Sequence, residues 1–357
     1  MMELVFLKEK FARKVWMEVK TITMFKPRKI DLTEHVLELI RRTSTDLPAD
    51  VVSALEQAQK REKPESPAEQ ALVFILENIK LAKANSLPVC QDTGTLIYHV
   101  YMPFGYSMQD IISQIQRATA KATELAYLRP NAVDSITGVN SSNNIGIGAP
   151  TIEFHPPPLS PPSTGGNKGG GHEWEDEPNF SFKKKSLIKR NTEEFLKNET
   201  LRINLMLKGG GCENVGAQYS LPNSALKANR DLEGVKKVVL DAIYQAQGLG
   251  CAPGIIGVGI GGDRGTSMLL AKKQLFRKLD ERNPIPELAE AEEELLKKAN
   301  TLKIGPMGFG GVTTVLGIQM GAMHRLPASY FVSIAYMCWA DRRRSLFYQD
   351  GQSYFDE

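Results

Sequence analysis

Gly250-Cys251-Ala252-Pro253-Gly254-Ile255-Ile256-Gly257-Val258-Gly259-Ile260-Gly261-Gly262 is the stretch whose reading decides what kind of mixed chain this is. Gly257 to Gly262 matches G-x-G-x-x-G between a predicted strand at Ile255-Ile256 and a predicted helix. In a dinucleotide site such glycines let a pyrophosphate approach the backbone at a helix N-terminus. Asp280 stands roughly where the ribose-binding acid of such a site is expected. The same glycines also suit a tight strand-to-helix turn for purely conformational reasons. After them the chain enters predicted helices at about 266–280 and 286–301 with no strand between, so no clean βαβ unit is read. The fold class expected is therefore α/β (α+β mixed) rather than a nucleotide-binding sheet.

The same mixture extends outward in both directions. Residues 31–60 open a helical region, with Asp31 and Glu34 placed as a capping box ahead of Val36, Leu37, Leu39 and Ile40. Helical period continues over 67–85 through Leu72, Ile75, Ile79 and Leu81, and Pro88 breaks it. Leu96 to Tyr101 is β-branched and aromatic, hence a predicted strand. An amphipathic helix follows, with Ile111, Ile112, Ile115, Ala118, Ala122 and Leu125 on one face, and it ends before Pro130. Leu201 to Leu207 alternates like a half-buried strand, and a helix is predicted over about 232–247. Tyr330 to Tyr336 is the last strand predicted. Between about 156 and 198 a run of prolines and then glycines offers no periodic apolar face, so this segment reads as a disordered insertion.

Composition narrows the function classes. The chain has 357 residues, 42% hydrophobic and 24% charged, an ordinary globular composition. Lys and Arg total 44 against 41 Asp and Glu, too even a balance to attract nucleic acid or a membrane surface. No apolar run approaches the roughly 18 residues of a membrane helix. The first 30 residues carry no signal-peptide apolar region and fit a transit peptide poorly, so a cytoplasmic location is expected. Four cysteines, Cys90, Cys212, Cys251 and Cys338, are too few and too dispersed for a disulfide scaffold, which agrees with a reducing compartment.

Each cysteine lies at a loop or strand end beside glycine or polar residues, whereas a structural cysteine more often lies inside an apolar face. No C-x-x-C pair is present for a zinc ribbon. Dispersed loop thiolates can instead converge on an iron–sulfur cluster. Lys208-Gly209-Gly210-Gly211 lacks the Ser or Thr of a P-loop. Its successive backbone N–H groups could cradle a carboxylate, or the run could be a plain turn. Asp92 alone reads as an Asx-turn residue.

Taken together and in order, Cys90-Gln91-Asp92-Thr93-Gly94, Arg129-Pro130-Asn131-Ala132-Val133, Lys208-Gly209-Gly210-Gly211, Gly250-Cys251-Ala252-Pro253 and Cys338-Trp339-Ala340-Asp341-Arg342-Arg343 resemble the alpha-type half of the iron–sulfur hydro-lyases, class I fumarase and L-tartrate dehydratase. The resemblance covers about residues 31–344, leaving an N-terminal extension 1–30 and a C-terminal tail 345–357. It implies a [4Fe–4S] cluster held by Cys90, Cys251 and Cys338, with Cys212 a bystander. It implies that Gln91, Arg129, Gly209, Gly210 and Gly211 contact a small dicarboxylate substrate and that Asp92 exchanges a proton. Relatives often carry His where this chain has Leu326, so His324, two positions earlier, becomes a catalytic candidate. The resemblance also implies a separate beta-type subunit, giving a heteromeric enzyme that interconverts fumarate and malate. L-tartrate dehydratase is the alternative, and a catalytically silent iron–sulfur scaffold is an alternative of another class.

Overall fold

The computed structural model describes residues 28–156, 200–349 and 351–356. The expected insertion and most of the N-terminal extension lie outside the described residues. In chain order the described elements are α1 (Thr33–Thr45), α2 (Ala49–Arg61), α3 (Pro67–Asn85), β1 (Thr95–Tyr101), α4 (Met108–Glu124), β2 (Thr151–His155), β3 (Leu201–Lys208), α5 (Gly210–Asn214), β4 (Ala217–Ser220), α6 (Leu232–Ala246), β5 (Gly254–Ile260), α7 (Arg264–Gln274), α8 (Pro286–Asn300), β6 (Val315–Ala322), β7 (Phe331–Met337), β8 (Arg342–Gln349) and β9 (Gln352–Phe355). They form a five-stranded sheet ordered β2-β1-β3-β8-β9 and a four-stranded sheet ordered β4-β7-β5-β6. Each sheet has one parallel pair, β1 with β2 and β5 with β6, among antiparallel neighbours. The mixed α/β class expected from the sequence is what the strands show.

Two apolar cores follow from the alternation of the strands. Leu96, Tyr98 and Val100 of β1 and Leu201, Ile203, Leu205 and Leu207 of β3 turn one face of the first sheet onto α1 and α4. The second core packs α2, α3, α6 and α8 around the four-stranded sheet and takes in Ile97 and Met206 from the opposite face of the first. That opposite face also carries polar and charged side chains, among them Arg202, Asn204 and Lys208. His99 lies on it, and burial together with the charges of His155, Lys273 and Arg202 pulls its pKa down to about 3, so the ring is neutral near pH 7.

Several sequence expectations are corrected here. The Asp31–Glu34 capping box does not form. Asp31 accepts instead from the backbone N–H and hydroxyl of Thr33, at 3.0 and 2.7 Å, a local bond that competes with capping. A parallel strand does follow the glycine-rich stretch: β6 pairs with β5 after both helices have crossed over. Gly257 and Gly259 are strand interior, not turn. A Cβ on Gly257 would lie 2.1 Å from the Ala271 carbonyl oxygen, and one on Gly259 would lie 2.0 Å from that of Ser267. The glycines let α7 lie directly on β5. The N–H groups of Gly265 and Thr266, which a pyrophosphate would need, donate to Asp263 at 2.7 and 3.0 Å. The boundary expected at residue 344 falls inside β8, and 352–355 add the edge strand β9.

Gly259→Ala is accordingly expected to destabilise the chain by about 1–3 kcal/mol or more, because backbone must move to admit one methyl. Gly146→Ala, with nothing within 4 Å of the new Cβ, is expected to stay within about 0.5 kcal/mol. Urea unfolding midpoints of the two variants check the contrast.

Candidate active site

Strand register brings distant loops to one place. Thr95, which opens β1, pairs with Lys208, which ends β3, and Arg342, which opens β8, pairs with Leu207. The loop carrying Cys90, Gln91 and Asp92 therefore lies beside Gly209 to Cys212. In the other sheet Ile255 pairs with Met337, so the loop before β5 meets the residues after β7. Trp339 N donates to the Cys251 carbonyl at 3.3 Å. The segment 338–341 runs from β7 of one sheet to β8 of the other, and the site lies at that junction.

The cysteine loop before β5 has a demanding backbone. Cys251 takes φ +56°, which few L-residues adopt without support from their surroundings. The support comes from Tyr336, whose ring atoms would lie 2.4 and 2.5 Å from a Cβ on Gly250 and on Gly254. The flanking glycines thus let a buried aromatic ring press on the backbone at either side of Cys251.

Asp92 ties the first two loops together. Its Oδ1 accepts from Gly94 N at 3.0 Å, the Asx-turn expected of it, and its Oδ2 accepts from Gly210 N at 2.7 Å. Its own carbonyl accepts from Arg342 Nη1 at 2.8 Å. Gly209 is close-packed, since a Cβ there would lie 3.0 Å from Asp92 Oδ2, while Gly211 is exposed with open space around it. The glycine run does not stay a loop: Gly210 begins α5. The Arg129 loop docks on the Cys90 loop through Thr93, whose hydroxyl accepts from Arg129 N and Asn131 Nδ2, both at 3.0 Å. The exposed Arg129 guanidinium donates to the Gln91 carbonyl at 3.4 Å.

All four cysteines are free thiols; Cys212 is buried and the other three are partly exposed. Burial, then the charges of Cys90, Cys212 and Asp92, pushes the Cys251 thiol up, so these groups share one electrostatic neighbourhood. Cys338 and Cys212 act on each other electrostatically. Cys338, then Lys208 and Arg342, pull Cys212 down to about 6, while Cys212 and burial push Cys338 up against the charge of Arg342. Lys208 is 2% exposed and reaches the Tyr336 carbonyl at 2.7 Å, Glu213 at 2.8 Å and Cys212 Sγ at 3.8 Å. Lys208, Arg342, Thr93 and Tyr336 had no role in the sequence reading. Lys208 and Arg342 were in view as motif residues; for Lys208, a charge ending the apolar strand β3 was the signal that it is buried.

His324 lies elsewhere. It is exposed, and its carbonyl accepts from Gly262 N at 3.1 Å, just past the end of β5. Cys251 precedes the start of that seven-residue strand, so the two are separated by a strand length of about 20 Å. Leu326 is 73% exposed on the same loop.

This arrangement of cysteine loops across two mixed sheets goes with membership of a family. The chain belongs to the fumarate hydratase (Fumerase) family, whose model matches residues 33–173 and 191–346. A Geobacillus stearothermophilus protein provisionally named fumarate hydratase class I is 45% identical over 315 residues, covering 87% of this chain and 54% of that protein. A Methanocaldococcus jannaschii protein provisionally named L(+)-tartrate dehydratase subunit alpha is 36% identical, covering 87% of this chain and 95% of that protein. The L(+)-tartrate dehydratase subunit alpha of Escherichia coli K12 is 28% identical, covering 88% and 90%. The chain thus spans about half the length of the Geobacillus relative and nearly all of the two alpha subunits.

Proposed function

We propose that the chain is the alpha-type part of a [4Fe–4S] hydro-lyase that interconverts fumarate and (S)-malate. The observation that carries this is the meeting of the Cys90, Cys251 and Cys338 loops with Asp92 and the Arg129 loop. The donor set fits the cluster. The three thiols stand on separate loops; Cys90, Cys212 and Asp92 oppose negative charge on Cys251, and Cys212 opposes it on Cys338, which a cationic metal centre would relieve. When bound, the cluster would supply a Lewis-acidic iron for the departing hydroxyl.

The protein's own groups do the rest. Arg129 supplies a guanidinium fork for one substrate carboxylate, with Gln91 beside it. Asp92, fixed by Gly94 N and Gly210 N, keeps a lone pair on each oxygen and can exchange a proton with the substrate. In the elimination direction the C3 proton goes to the base, the C2–O bond breaks, and hydroxide leaves. His324 is a weaker candidate for that base on position. Substrate groups beyond this chain's reach belong to a separate beta-type subunit, consistent with the alpha-subunit names of two relatives. Among the described residues no helix is long and apolar enough to cross a membrane. The even charge balance leaves nucleic acid out of the proposal, and the location proposed is the cytoplasm.

L(+)-tartrate dehydratase is the second reading, favoured by the near-complete length match to the two alpha subunits. Anaerobic purification with and without a co-expressed beta-type subunit, followed by iron and sulfide analysis and assays on malate, fumarate and tartrate, tests both. Turnover of malate and fumarate is expected only with the partner present. Turnover of tartrate alone selects the second reading, and an intact cluster with no turnover selects the silent scaffold. A colourless, iron-free chain after reconstitution removes all three.

A further inference from the structure

We infer that His99, Glu153 and His155 form a second metal site, for a single divalent ion of the zinc type, which ties the edge strand β2 to β1. The register builds it. His99 of β1 pairs with Glu153 of β2, and His155, two residues on, lies on the same face of the sheet. His99 Nδ1 is 2.8 Å from His155 Nε2 and 3.5 Å from Glu153 Oε2, and the third side, His155 Nε2 to Glu153 Oε2, is 3.9 Å. Three ligand atoms therefore surround one point. Zinc bonds of about 2.0–2.2 Å to nitrogen and oxygen require tetrahedral edges of about 3.3–3.6 Å, so the nitrogen pair has to widen and the His155–Glu153 side has to close, each by about 0.5 Å.

Without an ion the two imidazoles are joined by one hydrogen bond, and the carboxylate is held only loosely beside them. Neither distance to the carboxylate is a good hydrogen bond, and the two facing nitrogens can share only one proton. His99 is 3% exposed and is held by rings on both sides, His155 stacked at 5.0 Å and Phe276 edge-on at 5.0 Å between centroids. A ligand so confined needs only a small shift when an ion arrives. Two imidazoles with one carboxylate favour Zn²⁺, Co²⁺ or Ni²⁺ over Mg²⁺ and Ca²⁺, which prefer oxygen alone. The charges of Lys272, Lys273 and Arg202 face this group and lower its affinity. Lys272 is partly offset by its ion pair with Glu213 at 2.5 Å. Four residues of strand separate His99 from Thr95, about 13 Å, so the site stands apart from the cysteine loops.

The test is equilibrium dialysis of the full chain against Zn²⁺ under reducing, anaerobic conditions, comparing the natural sequence, His155→Ala, Glu153→Gln and the triple variant Cys90→Ser/Cys251→Ser/Cys338→Ser. His155→Ala is expected to weaken one equivalent of Zn²⁺ at least about tenfold. The triple variant is expected to keep that equivalent, and Mg²⁺ is expected not to compete for it. With Co²⁺ the triple variant should show ligand-field bands without thiolate charge transfer, and adding His155→Ala should remove them. Zn²⁺ should also raise the Tm of the triple variant and not that of the quadruple. The inference is overturned if His155→Ala and Glu153→Gln both bind as many equivalents as the natural sequence with unchanged affinity. It is equally overturned if the folded triple variant binds no Zn²⁺.

Discussion

Cys251→Ser is expected to give a folded chain that holds no [4Fe–4S] cluster and loses at least about 10³-fold in kcat. The folding half of this rests on backbone bonds that the sulfur does not make. Trp339 N donates to the Cys251 carbonyl, Met307 N to that of Ala252 at 2.8 Å, and Gly254 N to that of Thr314 at 3.0 Å. Serine leaves these bonds and the φ of +56° in place. The catalytic half follows from the proposed Lewis acid, which is worth several kcal/mol of transition-state stabilisation, and about 4 kcal/mol corresponds to 10³ in rate. Cys212→Ser is the paired measurement. Its Sγ donates to the Gly209 carbonyl at 3.1 Å and lies 3.8 Å from Lys208 Nζ, contacts a hydroxyl can approximate. The cluster is expected to survive there, read as iron and sulfide per chain and as visible absorption. Full iron in Cys251→Ser, or equal loss of iron in both variants, would contradict the assignment of ligands.

How much of this was legible in the residues depended on whether the deciding forces were local. The helix over 67–85 was plain because its apolar residues alone define a buried face, and the structure places it at Pro67–Asn85. β8 was missed because Arg342-Arg343-Arg344 looks like a solvated charge run. Its burial is made possible from a distance: Arg343 binds Asp50 at 2.5 Å and the Arg277 carbonyl at 3.0 Å, and Arg344 binds the Asp356 carbonyl at 2.7 Å. Pairing of that kind leaves no periodic trace. The glycines at 257 and 259 were read as turn residues because nothing local reports that α7 presses its carbonyls on the strand. The candidate site divides in the same way. The cysteine motifs and Asp92 could be named from their own loops through the family resemblance. That Lys208 lies under Cys212 could not, because the contact depends on β3 ending beside β7.

Asp92→Asn separates two roles that the geometry allows. If Asp92 is only a turn residue, asparagine is a fair substitute, since its carbonyl oxygen can still accept from Gly94 N and asparagine favours such turns. One bond must then be lost, because the carboxylate uses Oδ1 for Gly94 N and Oδ2 for Gly210 N, and an amide nitrogen cannot accept. Asp92 is partly exposed, so water can replace that bond and the cost is about 1 kcal/mol. If Asp92 also moves a proton, asparagine removes the basic carboxylate that carries it, and kcat should fall by about 10²–10⁴. The expected result is the second: iron and sulfide unchanged, the urea midpoint nearly unchanged, KM altered little and kcat collapsed. Anaerobic steady-state kinetics on malate, with cluster content measured on the same sample, distinguish the cases. Near-normal kcat with an intact cluster would leave Asp92 a hinge between two loops and move the proton to another group. A parallel fall in kcat and iron would instead make Asp92 a support for the cysteine loop, because Gly210 N reaches that loop through its carboxylate.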